Sequence, residues 1–96
     1  MKLKTIRKSH KPAKKYDAVF ISDSGREKVV PFGATGYSDY NHHKNKTRRA
    51  RYLHRHNKHE NWNKPDTAGS LSKWLLWGES TSLRKNIRTF KKKFNL

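Results

Sequence analysis

The sequence predicts an α+β fold: a β-hairpin packed against two to three short helices, with an extended basic N-terminal arm. Three observations predict it. Two runs of β-branched and aromatic residues flank a turn-forming stretch, apolar residues recur at helical spacing towards the C-terminus, and the first fifteen residues carry seven cations and no acid. A chain of 96 residues suffices for one small domain.

The basic arm comprises residues 1–15, and the small globular domain comprises residues 16–96. The arm has almost nothing to bury, so it is expected to be flexible when it has no partner. As an arm it would follow phosphates or thread into an assembly. Its candidate polyanion-binding residues are Lys4, Arg7, Lys8, Lys14 and Lys15.

The hairpin is predicted over residues 16–32. Its two strands are Tyr16–Ile21 and Lys28–Phe32, both rich in residues that favour strands. Between them Gly25 supplies a residue that tolerates positive φ in a turn. Pro31 has no N–H to donate to a neighbouring strand, so the second strand is expected to lie at an edge of the sheet or to end there.

A loop and a basic helix follow the hairpin. The loop, residues 33–43, contains two glycines, and Tyr37 and Tyr40 are expected to anchor it. The basic helix is predicted over about 44–61, with only a thin apolar stripe. Its candidate polyanion-binding residues are Arg48, Arg49, Arg51, Arg55 and Lys58.

Two further helices are predicted at about 67–77 and 82–94. The first starts at a cap formed by Asp66 or Thr67, and the second has a continuous apolar face behind the N-cap Ser82. The candidate polyanion-binding residues of the last helix are Arg84, Lys85, Arg88, Lys91, Lys92 and Lys93. The predicted core of the domain is Val19, Ile21, Val29, Phe32, Tyr52, Leu53, Trp62, Leu71, Trp74, Leu75, Ile87, Phe90 and Phe94.

Charge is the strongest functional signal in the sequence. Lys and Arg total 24 against 7 Asp and Glu, a net charge of +17, which exceeds what solubility requires. Guanidinium groups, which dominate the middle block, suit phosphates because they bind them with two parallel hydrogen bonds. The composition predicts a polyanionic partner and leaves open whether it is nucleic acid, an acidic protein surface or anionic lipid.

The sequence predicts no enzyme, no cofactor and no metal. It has no cysteine, and its few acids are scattered singly. A cluster of histidines around the basic helix is best explained as charge-adjustable surface residues. Zinc binding is one alternative, and it needs about four ligands, usually Cys and His. A metal-dependent nuclease centred on His56 is another, but the strand context and acidic metal ligands of such sites are missing. The clustered histidines are His42, His43, His54, His56 and His59.

From Tyr16 to the C-terminus the chain resembles a family of small basic proteins encoded by giant nucleocytoplasmic large DNA viruses, including those of algae. The resemblance implies a virion component or a nucleic-acid-associated protein, and it assigns no site residues. The segments that carry it are Lys28–Tyr40, Arg51-Tyr52, Arg55-His56, Glu60–Trp62, Pro65–Gly69, Leu71-Ser72 and Trp74–Trp77.

Charge and resemblance together lead to two functional expectations. The first is a non-enzymatic structural protein of a virus particle, a minor capsid or cement protein that contacts major or other capsid proteins. The second is a nucleic-acid-binding protein that does not distinguish base sequence. The expected location is the virion, or otherwise the interior of the host cell. A small-molecule substrate is not expected, and a membrane would be contacted only at its surface, since the longest apolar runs have four residues.

Overall fold

In the computed structural model, which describes residues 1–96, the chain forms a three-stranded antiparallel sheet and four short α helices. Strands β1 (Lys2–Lys8), β2 (Lys14–Ile21) and β3 (Glu27–Ala34) lie side by side in chain order, so β2 is central. The predicted α+β fold is confirmed. Strand β3 is an edge strand, as the lack of a donor at Pro31 requires.

The flexible basic arm predicted for residues 1–15 is wrong, because most of this segment belongs to the sheet. Strand β1 pairs antiparallel with β2 along its whole length. The turn between them is closed by the backbone N–H of Ser9, which donates to the carbonyl of Lys15 at 3.1 Å. The hairpin expected from the sequence is therefore two strands of a three-stranded meander.

A β-bulge explains why the sequence did not indicate strand β1. The register shifts between Leu3 and Thr5, so that Leu3 pairs with Phe20 and Ile6 pairs with Ala18. Two apolar residues three positions apart thereby face the same side of the sheet. In a regular strand such residues point to opposite faces, so the segment shows no alternating pattern of apolar and polar residues.

The helices cover the face of the sheet that carries Phe20 and Val30. The sequence predicts Val29 in the core, which is wrong: this side chain lies on the other face and is 38% exposed. Val19 is buried on that other face, and Ile21 is only half-buried. Apolar residues fill four consecutive positions of β2, so the two-residue alternation could not identify the covered face.

A short helix, α1 (Tyr40–His43), lies within the segment predicted as a loop, residues 33–43. The Asp39 carboxylate caps its N-terminus by accepting a hydrogen bond from the backbone N–H of His42 at 3.2 Å. Lys44 ends it in the left-handed conformation, at φ 58°. The turn-forming residues of this segment favour a loop, so the sequence did not indicate this single helical turn.

The basic helix α2 (Lys46–His56) is shorter than the predicted 44–61. It begins after Asn45, whose side-chain oxygen accepts from the backbone N–H of Arg48 at 3.1 Å. The helix ends because no apolar residue follows Leu53 that could pack a further turn against the core.

The helix predicted over 67–77 consists of two parts. Helix α3 (Ala68–Leu71) continues directly into a π-helical turn (Ser72–Leu76). The backbone N–H of Trp77 closes this turn by donating to the carbonyl of the residue five positions earlier, at 3.0 Å. Turns of this type are often found at functional sites, and this one leads Trp77 towards helix α2.

Helix α4 (Leu83–Lys93) confirms the last predicted helix, and Ser82 caps it as expected. Its buried Asn86 ties it to the π-helical turn. The side-chain amide donates to the carbonyls of Ser80 at 2.7 Å and Leu75 at 3.1 Å. Asn86 packs against Gly78, where a β-carbon would collide with Asn86 and with a backbone carbonyl.

The hydrophobic core lies between the sheet and the helices. Of the predicted core residues, Val19, Phe32, Tyr52, Leu71, Leu75 and Phe90 are buried. Ile21, Leu53, Trp62, Trp74, Ile87 and Phe94 are half-buried. The core residues that the sequence analysis missed are Leu3, Ala18, Phe20, Val30, Tyr40, Leu76 and Trp77. No helix is long and apolar enough to cross a membrane.

Candidate functional site

A cleft of about 640 Å³ opens between helix α2 and the end of the sheet where β2 begins and β3 ends. The loop after β3 forms its rim, and helix α3 with the π-helical turn forms the far wall. The buried rings of Tyr52 and Trp77 lie at its floor. Five cationic side chains line it: Lys14, Lys15, Arg48, Arg51 and Arg55.

Helix α2 supplies three of these cations from one face. Arg48, Arg51 and Arg55 are spaced by three and four residues, which places them on one side of a helix. Arg49 lies on another side. Its Nε donates to the backbone carbonyls of Trp77 and Gly78, both at 3.0 Å, so Arg49 has a structural role and does not line the cleft.

Four of the five cleft cations have no partner within the chain. Lys14, Arg48, Arg51 and Arg55 form no ion pair and donate no side-chain hydrogen bond. Only Lys15 is neutralised, by the buried Asp39 carboxylate, with the Lys15 Nζ 2.6 Å from Asp39 Oδ2. The cleft therefore holds a surplus of positive charge that nothing in the protein satisfies.

The second acid in the cleft, Glu60, is engaged by its neighbours. One carboxylate oxygen lies 2.9 Å from His56 Nδ1, and the other accepts from Trp62 Nε1 at 2.8 Å. Glu60 forms no ion pair with Arg55 or Arg49. Gly69 makes room for this carboxyl group, since a β-carbon there would lie 2.8 Å from Glu60 Cδ.

An aromatic column supports the floor of the cleft. The Tyr52 ring stacks on Trp77 with centroids 4.2 Å apart and planes 1° apart, and it stacks on His56 at 4.2 Å on its other side. His43 extends the column, 5.2 Å from Trp77. Burial, and then the negative charge of Glu60, raise the pKa of Tyr52, so its hydroxyl stays protonated.

His43 is held as a neutral side chain. Its Nδ1 accepts a hydrogen bond from the backbone N–H of Asn45 at 2.9 Å, so the proton is on Nε2. Burial lowers the pKa of His43, and the positive charge of Arg48 lowers it further. No three His, Cys, Asp or Glu side chains gather where they could hold a metal ion.

The rim of the cleft carries an exposed aromatic ring. Tyr37 is 75% exposed, so it does not anchor the loop as predicted, whereas Tyr40 is buried and does. The next residue, Ser38, has a buried hydroxyl with no hydrogen-bond partner. Both Tyr37 and Ser38 line the cleft, and the sequence analysis missed them as site residues.

The remaining predicted site residues lie outside the cleft. On β1, Lys4 pairs with Glu27 at 2.7 Å, and Arg7 Nε lies 3.8 Å from Asp17. Lys8 is exposed at the end of β1, and Lys58 is exposed just beyond the end of α2. The cations of helix α4 form a separate surface: Arg84, Lys85, Arg88, Lys91, Lys92 and Lys93.

One lysine of that α4 surface, Lys93, contacts an aromatic ring of the protein itself. Lys93 Nζ lies 4.8 Å from the Trp74 ring centroid, and Lys73 Nζ lies 3.5 Å from the same ring. Burial lowers the pKa of Lys73, and the charge of Arg49 adds to the effect. Cation–π contacts of this kind stabilise the surface of the helical layer. The sequence indicated these cation–π contacts only through the presence of three tryptophans in a basic chain.

Fold and cleft define a small α+β protein with a concave, arginine-lined site. Residues 4–56 match a family of unknown function (DUF5754), which is more than half of the chain, and the protein belongs to that family. The matched segment holds all five cations of the cleft. No curated protein and no solved structure matches the chain.

Proposed function

We propose that this protein binds nucleic acid through the arginine-lined cleft, mainly by contacts to the phosphate backbone and without selecting a base sequence. The observation that carries the proposal is the set of four unpartnered cations, Lys14, Arg48, Arg51 and Arg55, at one concave site. Cations with a structural role have acidic or backbone partners in this protein, as Lys15 and Arg49 do.

Arginines on a helix suit phosphates better than they suit a diffuse acidic surface. Each guanidinium presents planar donors that match phosphate oxygens, and the α2 backbone fixes the spacing of Arg48, Arg51 and Arg55. A flat lipid surface cannot enter a concave cleft, whereas an extended sugar–phosphate chain can. A volume of about 640 Å³ is in the range of sites that hold a ligand the size of a nucleotide.

Salt dependence tests the proposal. Each phosphate contact contributes about 0.7 to 0.9 to the slope of log affinity against log salt concentration. Four cleft contacts should therefore give a slope of about −3 or steeper. Fluorescence anisotropy with a labelled oligonucleotide of about 16 nucleotides, titrated between about 50 and 200 mM salt, measures it.

A pair of matched variants assigns the binding to the cleft. The first replaces Arg48, Arg51 and Arg55 with Ala; the second replaces Arg84, Arg88 and Lys91 of helix α4 and removes the same total charge. We expect the cleft variant to lower the slope by about 2 units and the affinity by roughly tenfold to a hundredfold. The α4 variant measures the effect of net charge alone. Equal losses in both variants would refute the cleft as the site.

The structural role in a virus particle, which the sequence resemblance implies, stays a prediction. It has its own test, because a minor capsid or cement protein is present in purified particles in fixed proportion to the major capsid protein. Absence of the chain from purified particles would exclude that role and would leave nucleic-acid binding untouched. The prediction that the protein is not an enzyme likewise stays a prediction.

A further inference from the structure

The Tyr37 ring stands where two concave surfaces meet. It lines the arginine-rich cleft, and it also lines an adjoining cavity of about 600 Å³ that includes Asn41 and His42. The ring is 75% exposed, although most large apolar side chains of the protein are buried or half-buried. An aromatic ring presented beside unpartnered cations is the arrangement with which proteins stack a base and hold its phosphate.

The loop that presents Tyr37 is held at both ends. The Tyr37 backbone N–H donates to the carbonyl of Ala34 at 3.4 Å, after Gly36 turns the chain at φ 87°. Two residues later, Asp39 caps helix α1 and binds Lys15. The fold of the loop therefore fixes the backbone at Tyr37, and the ring is left exposed to solvent.

We propose that the cleft is selective for single-stranded nucleic acid, with one base stacked on Tyr37 and the neighbouring phosphates held by Arg48, Arg51 and Arg55. The inference rests on the proposed function and names its substrate class. In a duplex both faces of each base are covered by neighbouring base pairs, so only the backbone is accessible to the cleft. A single strand offers the base faces as well.

The cleft has no groups arranged to select one base over another. Four of its exposed polar groups are unpaired cations that suit phosphates, and stacking tolerates every base because each has an aromatic face. The stacking interaction is shared by RNA and DNA. We therefore expect binding of single strands of either kind, and an additional contribution from the RNA 2′-hydroxyl would appear as tighter binding of RNA.

Substitutions of Tyr37 test the selectivity. Tyr37→Ala should weaken binding of single-stranded oligouridine and oligothymidine about tenfold, within the range for loss of one stacked base. Tyr37→Phe keeps the ring and should bind like the wild-type protein. Binding of a blunt duplex of equal length should be the same for all three proteins. Because the side chain is exposed, the variants should also unfold at the wild-type temperature.

An abasic oligonucleotide separates stacking from charge. It keeps the phosphates and lacks the bases, so Tyr37→Ala and wild-type protein should bind it equally. If the cleft variant loses single-strand binding and Tyr37→Ala has no effect, the stacking inference is overturned and the proposed function is kept. Equal weakening of duplex and single strand by Tyr37→Ala would also overturn it. If no oligonucleotide binds the wild-type protein at low salt, the proposed function itself fails.

Discussion

Replacing Asn86 with Ala should remove the polar connection that holds the π-helical turn and the start of helix α4 together. The side-chain amide of Asn86 donates to the carbonyls of Ser80, Leu75 and to Asn41 Oδ1, and its oxygen accepts from the backbone N–H of Ser80 at 3.2 Å. The side chain is only 4% exposed. This connection supports the segment whose Trp77 carbonyl holds Arg49 of helix α2.

The magnitude follows from which groups lose all their partners. The Leu75 carbonyl keeps a hydrogen bond from Asn41 Nδ2 at 2.8 Å, so it stays satisfied. The N–H and carbonyl of Ser80 lose theirs, and so does Asn41 Oδ1. An unsatisfied buried group costs about 1 to 3 kcal/mol, and Ser80 and Asn41 are half-buried, so three groups at the lower end cost about 3 kcal/mol. For a domain of this size, that lowers the melting temperature by about 10 to 20 °C.

Urea and thermal unfolding followed by circular dichroism measure this loss. Thr89→Ala is the control on the same helix: its exposed hydroxyl donates only to the Lys85 carbonyl, and the change should stay within about 0.5 kcal/mol. Asn86→Asp keeps the shape but removes two donors, so it should destabilise as well. If Asn86→Ala costs no more than Thr89→Ala, the hydrogen-bond argument is refuted.

Two further predictions concern acidic residues. Glu60→Gln removes a negative charge from the cleft, so nucleic-acid affinity at low salt should rise about fivefold. The repulsion between the Glu60 carboxylate and a bound phosphate about 8 Å away is about 1 kcal/mol at an effective dielectric constant of about 40. Equal or weaker binding of the variant, measured by fluorescence anisotropy, would contradict this. Burial raises the pKa of Asp17, but hydrogen bonds from Ser9 and His10 outweigh burial and lower the pKa to about 2 from 3.8. The stability that Asp17 contributes is therefore complete above about pH 4 and is lost as pH falls to about 2. Urea titrations should show the difference between wild type and Asp17→Asn shrinking over that window, and a constant difference would exclude the linkage.

The sequence predicted the last helix almost completely. Leu83, Ile87, Phe90 and Phe94 form one face, and that face packs on the core with Ser82 as the cap. Such a pattern is local, because helical spacing and capping depend on residues within one or two turns. Strand β1 was missed for the opposite reason. Its two inward residues are brought to one face by a bulge that exists only when β2 is alongside.

The candidate site was predicted only in part. Lys14, Lys15, Arg48, Arg51 and Arg55 were named from charge, and they do line one cleft. The predicted site also contained cations that the structure places elsewhere or satisfies internally, Arg49 among them. Composition gives the amount of charge, but whether a cation is free depends on which acids and carbonyls approach it in the folded chain.

The sequence by itself determined four features, because each depends on residue type or on near neighbours. They are the charge, the absence of cysteine, the strand propensity of residues 16–32 and the helical periodicity of the last helix. The tertiary structure decided which face of the sheet is covered, that β1 joins it, and that residues from β2, the Tyr37 loop and α2 share one cleft. These outcomes depend on register and on contacts between residues far apart in the chain. The positive charge that stood out first in the sequence is thereby divided into paired and unpaired cations, and four of the unpaired ones, Lys14, Arg48, Arg51 and Arg55, lie together around the cleft.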